Sequence, residues 1–303
     1  MEHSLDLTYH WAGFSALVVF VIAYAFVMAE EFTHLRKSKP VVLAAGLIWG
    51  MIAIAYSNTP HYEMVEHEIR HSFLEYTELA FFLLVAMTYI NALEERNVFN
   101  SLKSWLIKNQ FSYRQLFWIT GVLAFFLSPL ADNLTTALVL CAVVVAVGSS
   151  SPKFVGLACV NIVVAANAGG AFSPFGDITT LMVWQAGQLD FLQFFALVIP
   201  SVVNYIIPAS IMHFFVSDHK PDVAETSVTI KYGGKTIILL GLLTIVTAVS
   251  FHNFLHLPPV FGMMTGLAYL QLYSFYIKIS VKDIEEQKYD FFENVARVEW
   301  DTL

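Results

Sequence analysis

The chain has 303 residues, of which 57% are apolar and only 13% are charged. A soluble protein of this length carries about 25% charged residues, so this composition excludes an ordinary soluble domain. The net charge is −8, and the 16 lysines and arginines are spread over short loops, so we expect no nucleic-acid partner. Phenylalanine is abundant, at 26 residues, as suits side chains that face lipid. We predict an all-α polytopic membrane protein in contact with the lipid bilayer.

A helix needs about 20 apolar residues to cross a hydrocarbon core about 30 Å thick. The apolar runs make residues 1–303 a single membrane domain, with spans predicted near 11–29, 41–57, 73–92, 115–147, 154–186, 191–215, 236–252 and 258–276. The arms 115–129 and 131–147 are both short, and only Leu130 separates them. This favours a re-entrant hairpin over 115–147. The span 154–186 contains a polar interruption and is predicted to be a broken helix.

Lysine and arginine indicate the orientation, because they collect in cytoplasmic loops. With these spans, every basic residue except Arg70 falls in segments on one side of the membrane. Those segments should be cytoplasmic and the N-terminus periplasmic. The first ten residues lack the basic start of a signal peptide, so the run Trp11–Met28 is expected to be a retained span.

The segment 60–78 is rich in histidine and glutamate and lies on the side opposite the basic loops. His67 and His71 stand at positions i and i+4 of a helix, and His61 precedes them. These histidines are candidates for pH sensing, because histidine changes its charge between pH 5 and 8. The i, i+4 pair can also hold a metal ion. A solvated helix with neither role is the third interpretation, and the sequence leaves all three open.

Two short polar stretches interrupt the apolar sequence between 115 and 186. The first runs from Leu127 to Thr136 and the second from Asn167 to Thr180. Each contains an aspartate, an asparagine, threonines and helix-breaking residues. The predicted helix breaks are at Pro129, Gly169, Gly170, Pro174 and Gly176. A broken helix inside a membrane is tolerated only where it lines protein or water, and paired breaks point to the ion site of a secondary transporter.

The polar side chains of the two stretches suit a small hard cation, which prefers oxygen ligands. A carboxylate that leaves water is disfavoured as a bare anion, so either a proton or a cation can neutralise it. Competition between the two at one site is the simplest basis for antiport. We therefore predict a cation- and proton-binding site, with Asp132 and Asp177 as ligands of the transported Na⁺ and no cofactor. The candidate site residues are Asp132, Asn133, Thr135, Thr136, Asn167, Asp177, Thr179 and Thr180.

Other functions fit these residues less well. Each stretch could be a purely structural helix break. An anion carrier is expected to have a neutral or positive site, which Asp132 opposes. An intramembrane aspartyl protease needs Gly-x-Gly-Asp, and Pro174 occupies the place of the first glycine. A passive channel stays open as an alternative. We expect a transporter and not an enzyme.

Two sequence blocks that contain most of these stretches resemble the NhaD-type sodium/proton antiporters of the ion transporter superfamily. The blocks are Ser128–Ala137 and Asn167–Trp184. The resemblance implies exchange of Na⁺ or Li⁺ for H⁺ across the bacterial inner membrane, in the service of pH homeostasis. It also implies two inverted repeats, each with a re-entrant hairpin and a broken helix. The chain shows one such pair, so it resembles the N-terminal part of an antiporter. It is expected to lack the second inverted repeat. The alternatives are a partial antiporter that is inactive alone and a homodimer that builds the whole site from two copies.

Overall fold

The computed structural model describes residues 7–60, 62–109, 111–148, 151–220, 228–280 and 291–298. All regular elements in these ranges are helices. They are α1 (Trp11–Met28), α2 (Glu30–Thr33), α3 (Ser38–Tyr56), α4 (Tyr62–Glu95), α5 (Val98–Lys108), α6 (Tyr113–Ala131), α7 (Asn133–Val147), α8 (Pro152–Gly170), α9 (Ile178–Gln185), a 3₁₀ helix (Phe191–Leu197), α10 (Val198–His213), α11 (Gly234–Leu255), α12 (Pro259–Ser280) and α13 (Phe291–Ala296).

Within the described ranges, eight helical segments are long and apolar enough to cross a membrane. They are Trp11–Met28, Ser38–Tyr56, Tyr62–Glu95, Tyr113–Ala131, Pro152–Gly170, Phe191–His213, Gly234–Leu255 and Pro259–Ile279. The prediction of an all-α polytopic membrane protein is confirmed. Asn133–Val147 is apolar but shorter, and the re-entrant insertion of the hairpin that it forms with α6 stays a prediction.

The chain divides into two compact units, and the division falls within α4. The first unit comprises the chain up to Ala80. In it, α1 packs against α3, and the outward side chains are large and apolar, such as Leu17 and Val42. A soluble protein would bury such side chains, whereas a helix in lipid exposes them.

The second unit runs from Phe81 to Val298 and is built around α8. Helices α6, α7 and α10 all pack against α8. The core between them consists of fully buried apolar side chains such as Phe117, Leu140 and Ile162. Elsewhere in this unit α11 packs against α12, and the Tyr89 hydroxyl of α4 donates to the Gly266 carbonyl of α12 at 2.7 Å.

The α6–α7 pair is a hairpin whose two ends lie at the same end of α8. The ring of Tyr113, at the start of α6, is 4.3 Å from that of Phe154, at the start of α8. Gly148, just after α7, is also next to Phe154. The turn of the hairpin therefore lies near the other end of α8, where α8 breaks.

Two contacts fix α6 closely against α8. The Asn161 side chain of α8 donates from Nδ2 to the Phe117 carbonyl of α6 at 2.9 Å. Nearer the break, Gly169 lies directly against the Phe125 carbonyl, in a space that a Cβ atom would fill. Because Pro129 has no N–H, it cannot bond that carbonyl in the helical pattern, and the bare Cα of Gly169 can approach it.

Candidate cation site

The turn between α6 and α7 is formed by Asp132 in an unusual backbone conformation. Its φ is 55° and its ψ is 159°. This is close to a region otherwise almost confined to glycine, and it costs of the order of 1–3 kcal/mol. Such strained residues cluster at functional sites, so the conformation itself marks Asp132 as a functional candidate.

Both aspartates are the N-cap residues of the helices that follow them. Asp132 accepts a hydrogen bond from the Thr135 N–H at 2.8 Å at the start of α7. Asp177 accepts one from the Thr179 N–H at 2.8 Å at the start of α9. Negative charge is stabilised at a helix N-terminus. Each helix break therefore places a carboxylate where the backbone holds it.

The two breaks satisfy the hydrogen bonds of each other. Ser173, after α8, donates from Oγ to the Pro129 carbonyl near the end of α6 at 2.9 Å. Ser128 of α6 donates from Oγ to the Ala166 carbonyl of α8 at 2.6 Å. The backbone N–H of Asn133 also joins the breaks, because it donates to the Gly176 carbonyl at 2.9 Å.

Asn133 brings the polar side chains of the two breaks together. Its Nδ2 donates to Asp177 Oδ2 at 2.5 Å and to Asn167 Oδ1 at 3.2 Å. The side-chain oxygens of Asp177 and Asn167 therefore converge on one point, which Asn133 Nδ2 occupies in this structure. The assignment of nitrogen and oxygen in such amides follows from their hydrogen bonds.

The predicted threonines have different roles in this arrangement. The Thr179 hydroxyl donates to Asp177 Oδ1 at 2.6 Å. The Thr180 hydroxyl lies 2.8 Å from both the Ser173 and the Asp177 carbonyls, and so holds the turn before α9. Thr135 takes part through its backbone, as described above. Thr136 is buried, and its hydroxyl has no hydrogen-bond partner among the described residues.

The glycines of the second break permit the closest approach of backbone at the site. A Cβ atom on Gly170 would lie 2.6 Å from the Gly176 carbonyl oxygen and 3.1 Å from Ser128 Oγ. The Gly176 carbonyl is the acceptor for Asn133, so Gly170 controls the position of that acceptor. Pro174, between them, is buried.

The cluster is open on one side. Asn167 and Thr179 are exposed, and Asp132, Asn133 and Asp177 are half-buried. No lysine or arginine of the described residues forms an ion pair with Asp177. Among the residues that the structure describes, no three histidine, cysteine or acidic side chains are grouped so that they could hold a metal ion. The donor set is therefore carboxylate, amide and hydroxyl oxygen, which suits a hard monovalent cation better than zinc.

Known proteins share this sequence over nearly its whole length. The family described as citrate transporter matches residues 11–303. Proteins named Na(+)/H(+) antiporter NhaD from Vibrio cholerae and from Alkalimonas amylolytica are both 51% identical to the chain over 99% of its length. Sodium/proton antiporter 1 of Arabidopsis thaliana is 30% identical over 93% of the chain.

The chain belongs to the NhaD antiporter family. It spans about two-thirds of the length of these bacterial relatives, 67% and 66% respectively, and 48% of the Arabidopsis protein. The match supports the membrane architecture described above and the resemblance of the two polar stretches to NhaD-type antiporters. The roles of the individual residues stay predictions that rest on their geometry.

The structure brings five of the predicted site residues together, namely Asn133, Asn167, Asp177, Thr179 and Thr180. It places Asp132 beside them. The predicted pH-sensing residues lie elsewhere on the chain. His67 and His71 are exposed on α4 in the first unit, with Nδ1 atoms 3.9 Å from Glu68 and 3.6 Å from Glu75. His61 lies outside the described residues.

The structure also shows contacts of two serines that the sequence alone does not predict. Ser128 and Ser173 cross-link the two breaks and do not cap their own helices. A repeated sequence pattern is the signal that could have indicated these contacts. Ser-Pro-x-x-Asp-x-x-Thr occurs at 128–135 and again at 173–180, at a separation of 45 residues.

We expect Gly170→Ala to separate the breaks of this NhaD family member, because the added Cβ meets the Gly176 backbone. Overpacking of this kind costs about 1–3 kcal/mol. The matched control is Gly156→Ala on the same helix, where nothing lies within 4 Å of the new Cβ. That change should be neutral or stabilise by up to about 1 kcal/mol. Thermal unfolding in detergent measures both, and equal midpoints for the two variants would contradict the close approach.

Proposed function

We propose that this protein exchanges Na⁺ or Li⁺ for H⁺ at the site formed by the two helix breaks. The observation that carries the proposal is the convergence of Asp177 and Asn167 oxygens on the Asn133 side chain, beside the strained Asp132. The names of the bacterial relatives, which are Na(+)/H(+) antiporters, support it.

The proposed chemistry follows from what occupies the point between the oxygens. In this structure the amide nitrogen of Asn133 lies 2.5 Å from Asp177 Oδ2 and donates a hydrogen bond to it. A cation that enters there takes the place of this donor, and rotation of the Asn133 amide would present its oxygen as a further ligand. A proton on the carboxylate removes the charge that attracts the cation. Binding of one therefore opposes binding of the other, as exchange requires.

The helix N-termini keep the carboxylates in place through this cycle. The Asp132 carboxylate is held by the Thr135 N–H, and the Asp177 carboxylate by the Thr179 N–H and hydroxyl. These donors belong to the helices that begin at the breaks, so they do not depend on the bound ion. The site can then change its occupant without losing its geometry.

An anion substrate suits this site less well. The family description names citrate, which is an anion. An anion at the breaks would meet the carboxylates of Asp132 and Asp177, and no lysine or arginine of the described residues pairs with Asp177. Like charges at short range repel. The electrostatics therefore favour a cation.

We further propose a bacterial inner-membrane location, with the basic loops in the cytoplasm and the N-terminus in the periplasm. The positive-inside rule supports this orientation. The homodimer and the pH-sensing role of His61, His67 and His71 stay predictions from the sequence.

Asp132→Asn and Asp177→Asn should each abolish Na⁺-dependent proton movement in proteoliposomes. Asparagine caps a helix about as well as aspartate, so both variants should fold, but the amide cannot carry the exchanged charge. ²²Na⁺ flux against an imposed pH gradient is the measurement. Because the chain spans two-thirds of the Vibrio cholerae relative, the chain and its fusion to the remaining part of that relative should both be reconstituted.

Asp190→Asn is the matched control. Asp190 caps the 3₁₀ helix in the same unit, is exposed and lies outside the proposed site, so its variant should exchange at the unsubstituted rate. Near-normal exchange by the Asp132→Asn or Asp177→Asn variant would mean that the carboxylate concerned is structural. Uptake of ²²Na⁺ that does not respond to the pH gradient would indicate a channel.

The orientation is tested by labelling with a membrane-impermeant thiol reagent in a background without Cys141 and Cys159. A cysteine in place of Ser57 should react from outside intact cells, because it follows α3 on the predicted periplasmic side. A cysteine in place of Lys235 should react only after the cells are opened. Labelling of the Lys235 variant from outside would overturn the proposed orientation.

A further inference from the structure

An open pocket of about 670 Å³ lies where the start of α6 meets the end of α10. It is distinct from the cation site, which lies near the other end of α6. Its lining includes Trp118 and Arg114 of α6, His213 at the end of α10, and Asp218 and Lys220 of the segment that follows. By the proposed orientation this end of α6 faces the cytoplasm.

One hydrogen bond in this pocket depends on the protonation state of a histidine. The Trp118 indole N–H donates to His213 Nδ1 at 3.0 Å. An indole nitrogen can only donate, so His213 Nδ1 must be an unprotonated acceptor. A histidinium has a proton on both ring nitrogens and cannot accept this bond. This hydrogen bond between α6 and α10 therefore exists only while His213 is neutral.

A continuous row of packed rings joins this hydrogen bond to the helix break. The ring of Trp118 is 6.3 Å from that of Tyr205 on α10. Tyr205 stacks on Phe125 of α6 with ring centroids 5.6 Å apart. Phe125 in turn contacts the Phe172 ring at 5.4 Å, and its carbonyl lies against Gly169. Tightly packed interiors transmit displacements of this kind.

The row also contains buried polar atoms that make its packing sensitive to shifts. The Tyr205 hydroxyl lies beside the Asn161 amide, next to Gly121, but makes no hydrogen bond of standard geometry. Asn161 Oδ1 also lacks a hydrogen-bond partner among the described residues, and Asn161 is fully buried. A displaced Trp118 ring would change the surroundings of these groups, which lie between the pocket and the break.

We propose that His213 is a proton-binding sensor that regulates exchange at the cation site through its hydrogen bond with Trp118. The proposal rests on the function proposed above. Neutral His213 joins α10 to α6 and keeps the aromatic row in the arrangement seen here. Proton binding from the pocket breaks the bond, loosens the row and slows exchange.

The direction of the regulation follows from the hydrogen bond, which His213 accepts only while Nδ1 carries no proton. A proton on Nδ1 of His213 breaks the bond, so lower pH disfavours the bond and higher pH favours it. The charged groups that share the pocket with His213 are Arg114, Lys220 and Asp218. Arg114 Nη1 lies 4.0 Å from Asp218 Oδ2, and the Ser112 hydroxyl also donates to Asp218.

The first test measures the hydrogen bond itself and does not depend on transport. Protonated imidazole quenches an adjacent indole, so Trp118 emission should titrate as the pH is lowered. Subtracting the spectrum of the Trp118→Phe variant isolates the emission of Trp118 from that of the other tryptophans. The change of Trp118 emission with pH should be absent from the His213→Asn variant. It should persist in His219→Asn, the control variant, which alters a neighbouring histidine. Its persistence in His213→Asn, or its absence from the unsubstituted protein, would overturn the proposal.

The second test measures regulation. In His213→Asn the side-chain oxygen stands near the position of Nδ1 and can accept from Trp118 at every pH. The pH of half-maximal exchange should therefore fall by about one unit or more, which is tenfold in proton concentration, while His219→Asn keeps the original profile. Trp118→Phe should slow exchange at alkaline pH. Coinciding profiles for His213→Asn and the unsubstituted protein would overturn the regulatory role. No exchange in any preparation would instead count against the proposed function, and the fluorescence titration would still decide on the hydrogen bond.

Discussion

The rest of this structure depends on one constraint, which is that backbone hydrogen bonds broken within a membrane must be replaced by protein. Helix α6 ends at Ala131, two residues after Pro129, and α8 ends at Gly170, and each helix end leaves backbone groups without a helical partner. Hydrogen bonds from residues of the opposite break join the two ends, and the Pro129 carbonyl, whose helical partner Asn133 bonds Gly176 instead, is satisfied in this way. Ser173 bonds the Pro129 carbonyl, Ser128 bonds the Ala166 carbonyl, and the Asn133 N–H bonds the Gly176 carbonyl.

This mutual satisfaction explains why polar side chains gather at one place. Once the breaks must face each other, the residues that begin α7 and α9 are neighbours. Both helices begin with an aspartate N-cap, so two carboxylates are placed at the junction with the helix N-termini behind them. The strained conformation of Asp132 is the consequence of turning the chain within a single residue. The cation site and the structural repair of the breaks are thus the same feature.

Much of this could be predicted from local sequence. The repeated Ser-Pro-x-x-Asp-x-x-Thr pattern at 128–135 and 173–180 marks both breaks, because proline and aspartate are each costly inside an apolar membrane helix. The all-helical membrane fold follows from composition and the length of the apolar runs. The candidate residues Asn133, Asn167 and Asp177 were expected to come from two separate stretches, and the structure shows that they meet.

Other features have no local signal. Thr136 follows Thr135 in the motif, yet helical rotation turns it into the protein interior, away from the hydrogen-bonded cluster. Asn161, Tyr205 and the Trp118–His213 pair are single polar groups in apolar helices, and their partners are distant in sequence. Their meeting depends on how α6, α8 and α10 pack. The backbone conformation of Asp132 is likewise a result of tertiary contact, since no residue type other than glycine favours it.

The central claim is that a cation and a proton compete for one site at the meeting of the two breaks. Calorimetric titration of Na⁺ into the detergent-solubilised protein tests this most directly, when it is repeated in two buffers that differ in ionisation enthalpy. If Na⁺ displaces a proton, the observed binding enthalpy will differ between the buffers, and the Asp177→Asn variant will lose this difference. A Na⁺ binding enthalpy that is the same in both buffers would contradict the account.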